Sequence, residues 1–226
     1  MSAEAAGYAT VRYRDIEVSY RPILDGGGME FGQEFLWVLE EKFGRVGHLF
    51  EFCAGPGFIG FSLLAHGLCE RLTLADINPE AVAACRATVK ANGLESKVAV
   101  YQSDCLDHIP ATEKWNLVVS NPPHWRSGED AYVRDMRMWD PGLRIHEKFY
   151  RSIGSYLAQG GSILMQENGS ATRLEDFLPM IERNGLVLVE SFKATPISLL
   201  RCLLERRRLK YARPSQYYYV WSRAAQ

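Results

Sequence analysis

From about residue 46 onward, short β-rich runs alternate with helical stretches, and that rhythm leaves the chain few architectures to adopt. Candidate strands cover residues 49–53, 71–76, 98–103, 117–121, 162–166, 186–192 and 216–222. Apolar residues at helical spacing fill 58–66, 79–92 and 144–158, with a short linker before Trp115. Strand followed by helix, repeated, predicts an α/β fold: a Rossmann-like, doubly wound sheet, mostly parallel, with helices on both faces. The best-marked helix has Asn78 as its N-cap, Pro79 at its first position and Gly93 just past its end. The final run Tyr217-Tyr218-Tyr219-Val220-Trp221 predicts an antiparallel last strand, set off from the preceding one by a Leu- and Arg-rich insert at 196–214.

Residues 1–45 do not follow that rhythm. The stretch from Val11 to Val18 alternates at period two and predicts a short strand or hairpin arm. After Gly26-Gly27-Gly28, residues 31–43 carry Phe35, Leu36, Leu39 and Phe43 on one helical face. The expected division is therefore an N-terminal segment, 1–45, and a Rossmann-like domain, 46–226, that contains the insert. The segment is either a cap over a ligand mouth at the sheet or a surface decoration.

Bulk properties narrow the class. A chain of 226 residues with 47% hydrophobic and 23% charged residues can bury one sizeable core, which excludes disordered and fibrous classes. No apolar run reaches the roughly 18–20 residues that span a bilayer. The stretch from Met1 to Gly7 lacks the basic start and apolar core of a signal peptide, so a cytoplasmic location without membrane contact is expected. Cys53, Cys69, Cys85, Cys105 and Cys202 contain no C-x-x-C pair, which points to reduced thiols and to no metal site. A net charge of −1 provides no global attraction to nucleic acid.

Two motifs carry chemistry. The first candidate strand runs into Ala54-Gly55-Pro56-Gly57-Phe58-Ile59-Gly60, where glycines permit a tight turn and the following helix offers unpaired N–H groups. By itself G-x-G-x-x-G also suits a nicotinamide-dependent oxidoreductase. The second motif is Asn121-Pro122-Pro123-His124-Trp125, directly after the apolar run that starts at Trp115. Two prolines can continue neither a sheet ladder nor a helix, so they form a stiff turn. It holds the Asn121 amide and two aromatic rings at a strand's C-terminal end, where open α/β sheets bind ligands.

Together the motifs resemble the class I S-adenosylmethionine-dependent methyltransferases, and within them the branch that methylates planar amide or amino nitrogens. The stretch Glu51-Phe52-Cys53-Ala54-Gly55-Pro56-Gly57 is similar to that family's acidic and glycine-rich signature, with Cys53 in place of its first glycine. Glu51 would repel a pyrophosphate and attract a sulfonium or ammonium group. Asp76 ends the second strand 19 residues after Gly57, where a carboxylate can accept ribose hydroxyls, and Ile77 would lie against the adenine. The resemblance implies that Asp104, next to Cys105, receives the adenine amino group. It further implies that the Asn121 side-chain oxygen and the Pro122 carbonyl accept the two N–H bonds of the acceptor nitrogen, exposing its lone pair. The fourth motif position, His124 here, stacks on the substrate in that family, with Pro123 and Trp125 completing the surface. Asp140-Pro141-Gly142-Leu143, which follows a polar stretch of loop character at 126–139, is similar to a stretch that follows the catalytic loop in release-factor glutamine methyltransferases, although only about 45 residues precede the first core strand.

The expected activity is N-methylation of a protein side chain or a small molecule with S-adenosyl-L-methionine. An adenine-amino methyltransferase of RNA or DNA is the alternative, favoured by the basic cluster Arg206-Arg207-Arg208-Leu209-Lys210. An oxidoreductase has no role for Glu51 or the Asn-Pro-Pro turn, and an inactive cofactor-binding subunit is the remaining reading.

Overall fold

The computed structural model describes residues 7–193 and 216–225. The insert with its basic cluster, and Cys202, lie outside those residues. Strands β1 (Ala9–Tyr13) and β2 (Ile16–Tyr20) form an antiparallel hairpin. Helix α1 (Phe35–Lys42) follows, then β3 (Val46–Phe52), α2 (Phe58–Ala65), β4 (Cys69–Asp76), α3 (Pro79–Ala91), β5 (Val98–Gln102) and β6 (Trp115–Ser120). The chain continues through α4 (Glu129–Arg134), α5 (Arg144–Ile153), β7 (Leu157–Asn168), α6 (Leu174–Arg183), β8 (Leu186–Phe192) and β9 (Tyr217–Ala224).

Among the described residues, seven strands form one sheet in the order β5-β4-β3-β6-β7-β9-β8. The pairs from β5 across to β7 are parallel, whereas β9 runs antiparallel to both β7 and β8. The expected antiparallel last strand is present, inserted between β7 and β8 instead of closing an edge. Strand β3 has β4 on one side and β6 on the other, so the order reverses there and opens a crevice at the C-terminal ends of β3 and β6.

Strand alternation builds two apolar layers. Leu49, Leu117, Val119 and Leu164 face α1 and α2, joining Phe35, Leu39 and Phe61. Phe50, Phe52, Val118 and Ile163 join Trp115, Phe149 and Phe177. In the second layer Phe50 stacks on Trp115 at 4.0 Å and Phe52 on Phe149 at 4.5 Å between ring centroids. Because side chains alternate at period two, Glu51 falls on the α2 side with Leu49 and is fully covered there.

The helix start expected at Asn78 is present, with its side chain accepting the Glu80 N–H at 2.9 Å. The N-terminal hairpin is tied to the end of the same helix. Asn92 accepts the Glu17 N–H and donates to the Glu17 carbonyl.

Two expectations are corrected. The helix expected over 144–158 stops at Ile153, and after a single 3₁₀ turn the chain enters β7 at Leu157. Leu157 and Ala158 fit the helical period, but pairing of Leu157 with Trp115 overrides that local preference. The stretch 126–139, read as loop, contains α4, whose first turn carries Glu129 and Asp130. Arg144 pairs with Glu129 and lies over the Tyr132 ring at 4.6 Å.

Packing is tight where α2 meets the sheet. A Cβ on Gly60 would lie 2.7 Å from Glu51 Oε2, 2.8 Å from Leu72 Cδ1 and 2.9 Å from Leu74 Cδ2. Gly60→Ala is therefore expected to destabilise the protein by about 1–3 kcal/mol in urea unfolding, the scale of core overpacking. Gly128→Ala, at a glycine with open space around it, should change stability by less than about 0.5 kcal/mol. Equal effects would show that the α2 contact is not tight.

Candidate functional site

The turn from β3 into α2 is shaped by backbone that only glycine adopts freely. Gly55 (φ 51°) and Gly57 (φ 78°) are left-handed, and so is Cys53 (φ 53°). The first glycine position of the motif thus keeps a glycine conformation while carrying a side chain, at a cost of roughly 1–2 kcal/mol. Glu51 anchors the turn: its Oε2 accepts the Gly60 N–H at 2.7 Å, at the N-terminus of α2. Burial dominates its ionisation and, against the helix N–H groups, pushes the carboxyl up to about 8.

Asp76, at the end of β4, accepts the Gly55 N–H at 2.7 Å through Oδ2 and the Asn78 N–H at 2.8 Å through Oδ1. It thereby ties the glycine turn to the start of α3. Burial raises its pKa, opposed by the Asn78 and Gly55 N–H groups. Asp104 follows β5, is ion-paired with Lys148 at 2.7 Å, and leaves half of its side chain exposed. Ile77 is 41% exposed, an apolar surface presented next to a carboxylate.

These strand ends surround an open cleft of about 930 Å³. Of the residues singled out from the sequence, Glu51, Cys53, Gly55, Asp76, Ile77, Asp104, Cys105, Asn121 and Pro123 line it. Gly57 lies behind the turn, packed on Phe61 and Leu74. Pro122, His124 and Trp125 are not in the lining. His124 is buried, and Trp125 faces Trp139 across an isolated bridge. Residues that sequence reasoning missed also line it: Leu24, Gly26 and Gly28 from the N-terminal segment, and Tyr132, Met136 and Arg137 from the far side. Arg137 donates to Asp135 and to the carbonyls of Ile23 and Asp25, joining the two sides. Its charge is spent in those contacts, as that of Asp104 is on Lys148, and burial favours the neutral form of Glu51, so the cleft lining is rich in carboxyl groups without a free cation among the described residues.

Behind the Asn-Pro-Pro turn runs a buried chain of polar side chains. His124 Nε2 lies 2.9 Å from Asn121 Oδ1, and its Nδ1 lies 3.2 Å from Glu167 Oε2. Glu167 Oε1 accepts from His146 Nε2 at 3.0 Å, and His146 Nδ1–H donates to Asp140 Oδ2 at 2.6 Å. Asp140 also accepts the Ile145 N–H at 2.8 Å, which caps α5. Burial would lower the His146 pKa, but Glu167 and Asp140 outweigh it and push it up to about 10. Burial would likewise raise Glu167, yet His146 and His124 hold it down at about 2. The sequence signal for this chain was Gln166-Glu167-Asn168, three consecutive polar residues that are all buried at the end of an apolar strand.

The Glu51 shift has a measurable sign. With its pKa raised in the folded state, the fold binds more protons than the unfolded chain above the ordinary carboxylate range. Stability therefore falls as pH rises from about 5 to 8, by up to about 1.4 kcal/mol per pH unit for one proton. Glu51→Gln, which keeps an acceptor for Gly60, should flatten that dependence in urea titrations of the ligand-free protein. An unchanged slope would mean that Glu51 ionises freely.

Comparison with known proteins agrees with this geometry. Residues 27–170 match the family described as Methyltransferase small domain. A release factor glutamine methyltransferase from Clostridium acetobutylicum is 28% identical over 151 residues, 62% of this chain and 53% of that protein. A ribosomal RNA small subunit methyltransferase C from Pseudomonas aeruginosa is 30% identical over 138 residues, 61% of this chain and 36% of that protein. The chain thus spans about half or less of the length of these relatives. Among solved structures, a ribosomal protein L11 methylase from Lactobacillus delbrueckii subsp. bulgaricus superposes with a TM-score of 0.59 at 13% identity, covering 92% of this chain and 84% of that one. A mitomycin 7-O-methyltransferase superposes at 0.55 with 16% identity, covering 85% and 53%. With the family matched over 144 of its 226 residues, the chain belongs to the methyltransferase small domain family.

Proposed function

We propose that the cleft binds S-adenosyl-L-methionine and that the protein methylates a planar amide or amino nitrogen at Asn121. The carboxyl lining of the cleft carries this reading: Glu51, Asp76 and Asp104 line it, a cation brought into the cleft would favour the ionised form of Glu51, and the one arginine among the described lining residues is committed to other partners. Such a lining suits a ligand with sulfonium and ammonium groups and disfavours a pyrophosphate. The cofactor, when bound, supplies an electrophilic methyl group. In this reading Asp76 accepts the ribose hydroxyls, Ile77 packs against the adenine with Asp104 and Cys105 at its rim, and the Cys53 to Gly57 turn approaches the amino-acid portion. Asn121 and the Pro122 carbonyl accept N–H bonds of the acceptor nitrogen, holding its lone pair toward the methyl group, which adds most in the transition state.

The N-terminal segment fits a cap in this scheme. Leu24, Gly26 and Gly28 form one wall of the cleft, and Gln33 Nε2 donates to the Phe58 carbonyl at the start of α2. Likeness to a release factor glutamine methyltransferase supports a protein side chain as acceptor, and likeness of comparable identity to a ribosomal RNA methyltransferase supports ribosomal RNA. Among the described residues no helix is long and apolar enough to cross a membrane.

Calorimetry with S-adenosylhomocysteine tests the cofactor assignment. Asp76→Ala should weaken binding by about 1–3 kcal/mol, the scale of losing hydrogen bonds to a charged acceptor. Unchanged affinity would remove Asp76 from the ribose role. Methyl transfer from radiolabelled cofactor into total protein, total RNA and a small-molecule fraction tests the acceptor. Asn121→Ala should lower turnover at least about 100-fold while cofactor affinity stays within a few fold. Near-wild-type turnover in that variant would refute the role given to Asn121.

A further inference from the structure

Two strips of chain far apart in sequence face each other across the cleft. One is 23–28, whose Leu24, Gly26 and Gly28 line it, and the other is 132–137, which contributes Tyr132, Met136 and Arg137. Neither strip belongs to the sheet, so strand pairing does not set the distance between them. Arg137 spans that distance. Its Nη1 donates to the carbonyl of Ile23 and, at 3.3 Å, to that of Asp25, 114 and 112 positions away along the chain. We propose that Arg137 is a clamp over the amino-acid end of the bound cofactor, and that its bonds to Ile23 and Asp25 break each time the cofactor enters or leaves. This rests on the cofactor reading above and adds a control on exchange.

Both ends of the clamp are held in place. On the arginine side, Nε donates to Asp135 Oδ1 and Nη2 to Asp135 Oδ2, each at 2.8 Å, and this two-pronged pair fixes the plane of the guanidinium. A guanidinium has five N–H donors in a rigid fork, so Nη1 reaches the far wall without giving up the pair with Asp135. On the other side, Asp25 Oδ1 accepts the Gly27 N–H at 2.8 Å, and the Asp25 N–H donates to the Pro22 carbonyl at 3.2 Å. Those two bonds fold the strip around Asp25 and turn its carbonyl to the arginine.

The close approaches of residues 24–28 show which end of the cleft lies beneath. The Leu24 carbonyl oxygen stands 3.5 Å from where a Cβ on Gly55 would lie, in the turn after β3. A Cβ on Gly26 would lie 3.6 Å from Arg137 Cβ, and one on Gly27 would lie 3.7 Å from Asn121 Nδ2, after β6. Gly27 takes φ 104°, backbone that glycine adopts freely, which is what the run of three glycines supplies here. The strip therefore crosses from the β3 turn to Asn121, over the place given to the amino-acid portion. Ile77 and Asp104, at the adenine end, follow β4 and β5, farther along the sheet. Every bond of the clamp described above is to a protein group. Such a clamp changes the rates of entry and exit together and leaves affinity nearly alone, since a ligand that favours neither the open nor the closed state shifts neither.

Two ligands separate a clamp over one end from a general effect on the cleft. S-adenosylhomocysteine has the amino-acid portion, and 5′-methylthioadenosine keeps the adenosine and lacks it. Their exchange is followed by stopped-flow displacement and by NMR line shape, respectively. Arg137→Ala should speed both association and dissociation of S-adenosylhomocysteine at least about fivefold, with the dissociation constant changed less than about twofold. Exchange of 5′-methylthioadenosine should stay within about twofold of wild type, because the clamp does not lie over it. Unchanged rates for S-adenosylhomocysteine overturn the proposal. Equal acceleration for the two compounds overturns it as well, since that would be loosening of the whole cleft. A faster dissociation with an unchanged association rate would mean that Arg137 holds the ligand directly, which also contradicts a clamp. If the alanine variant fails to fold, Arg137→Lys, which keeps the charge and loses the fork, should still speed exchange of S-adenosylhomocysteine at least about twofold, and unchanged rates there overturn the proposal. Failure of the wild-type protein to bind S-adenosylhomocysteine would overturn the cofactor reading, and the clamp with it.

Discussion

The hydrogen bond between Glu51 and the Gly60 N–H is the joint on which the candidate site depends. Strand alternation forces residue 51 into the apolar layer beneath α2, and a carboxyl there is tolerable only because the helix N-terminus receives it. A side chain at position 60 would crowd that carboxyl, Leu72 and Leu74, so glycine in the first turn is what lets the helix approach at close range. The left-handed turn at Cys53, Gly55 and Gly57 then has a fixed start and a fixed end, and Asp76 fastens its middle through the Gly55 N–H. Replacing Glu51 by an apolar residue would relieve a buried carboxyl group and at the same time strip a helix end of its acceptor.

A second polar assembly stands on the other side of the crevice. The two assemblies solve the problem of buried carboxyl groups differently. Glu51 is neutralised by taking up a proton more readily, with its pKa pushed up to about 8, whereas Glu167 remains an anion because His146 and His124 surround it. The first leaves a group that can respond to a cation in the cleft. The second gives a buried, hydrogen-bonded support for the Asn-Pro-Pro turn, whose prolines already limit the backbone. Rigid support is what a transfer reaction needs when its main requirement is alignment.

Much of the fold was legible in the sequence because hydrophobic period and turn chemistry agree along β3, α2, β4, α3 and β5. The Asn78 cap and the glycine turn needed no tertiary information. The end of α5 was not legible, since Leu157 and Ala158 continue the helical period and only pairing with Trp115 draws them into β7. The crevice residues on strand ends were found because open parallel sheets gather ligands there, and Glu51, Asp76 and Asn121 do converge on one cleft. The wall formed by Leu24, Gly26 and Gly28 and by Tyr132, Met136 and Arg137 was missed, because loops from distant parts of the chain carry no periodic signal. His124 was read as a ring that meets substrate, by analogy with an aromatic at that position, whereas the structure buries it against Glu167. That contact joins residues 43 apart and becomes visible only when β6 and β7 are paired.

A crystal structure of the complex with S-adenosylhomocysteine tests the central claim most directly, since the claim concerns where the reacting end of the cofactor points. The account predicts the ribose hydroxyls on Asp76, the adenine over Ile77, and the sulfur facing the Asn121 side chain across a gap that one acceptor nitrogen and one methyl group fill. A ligand bound elsewhere, or one in this cleft with its sulfur turned away from Asn121, would contradict it.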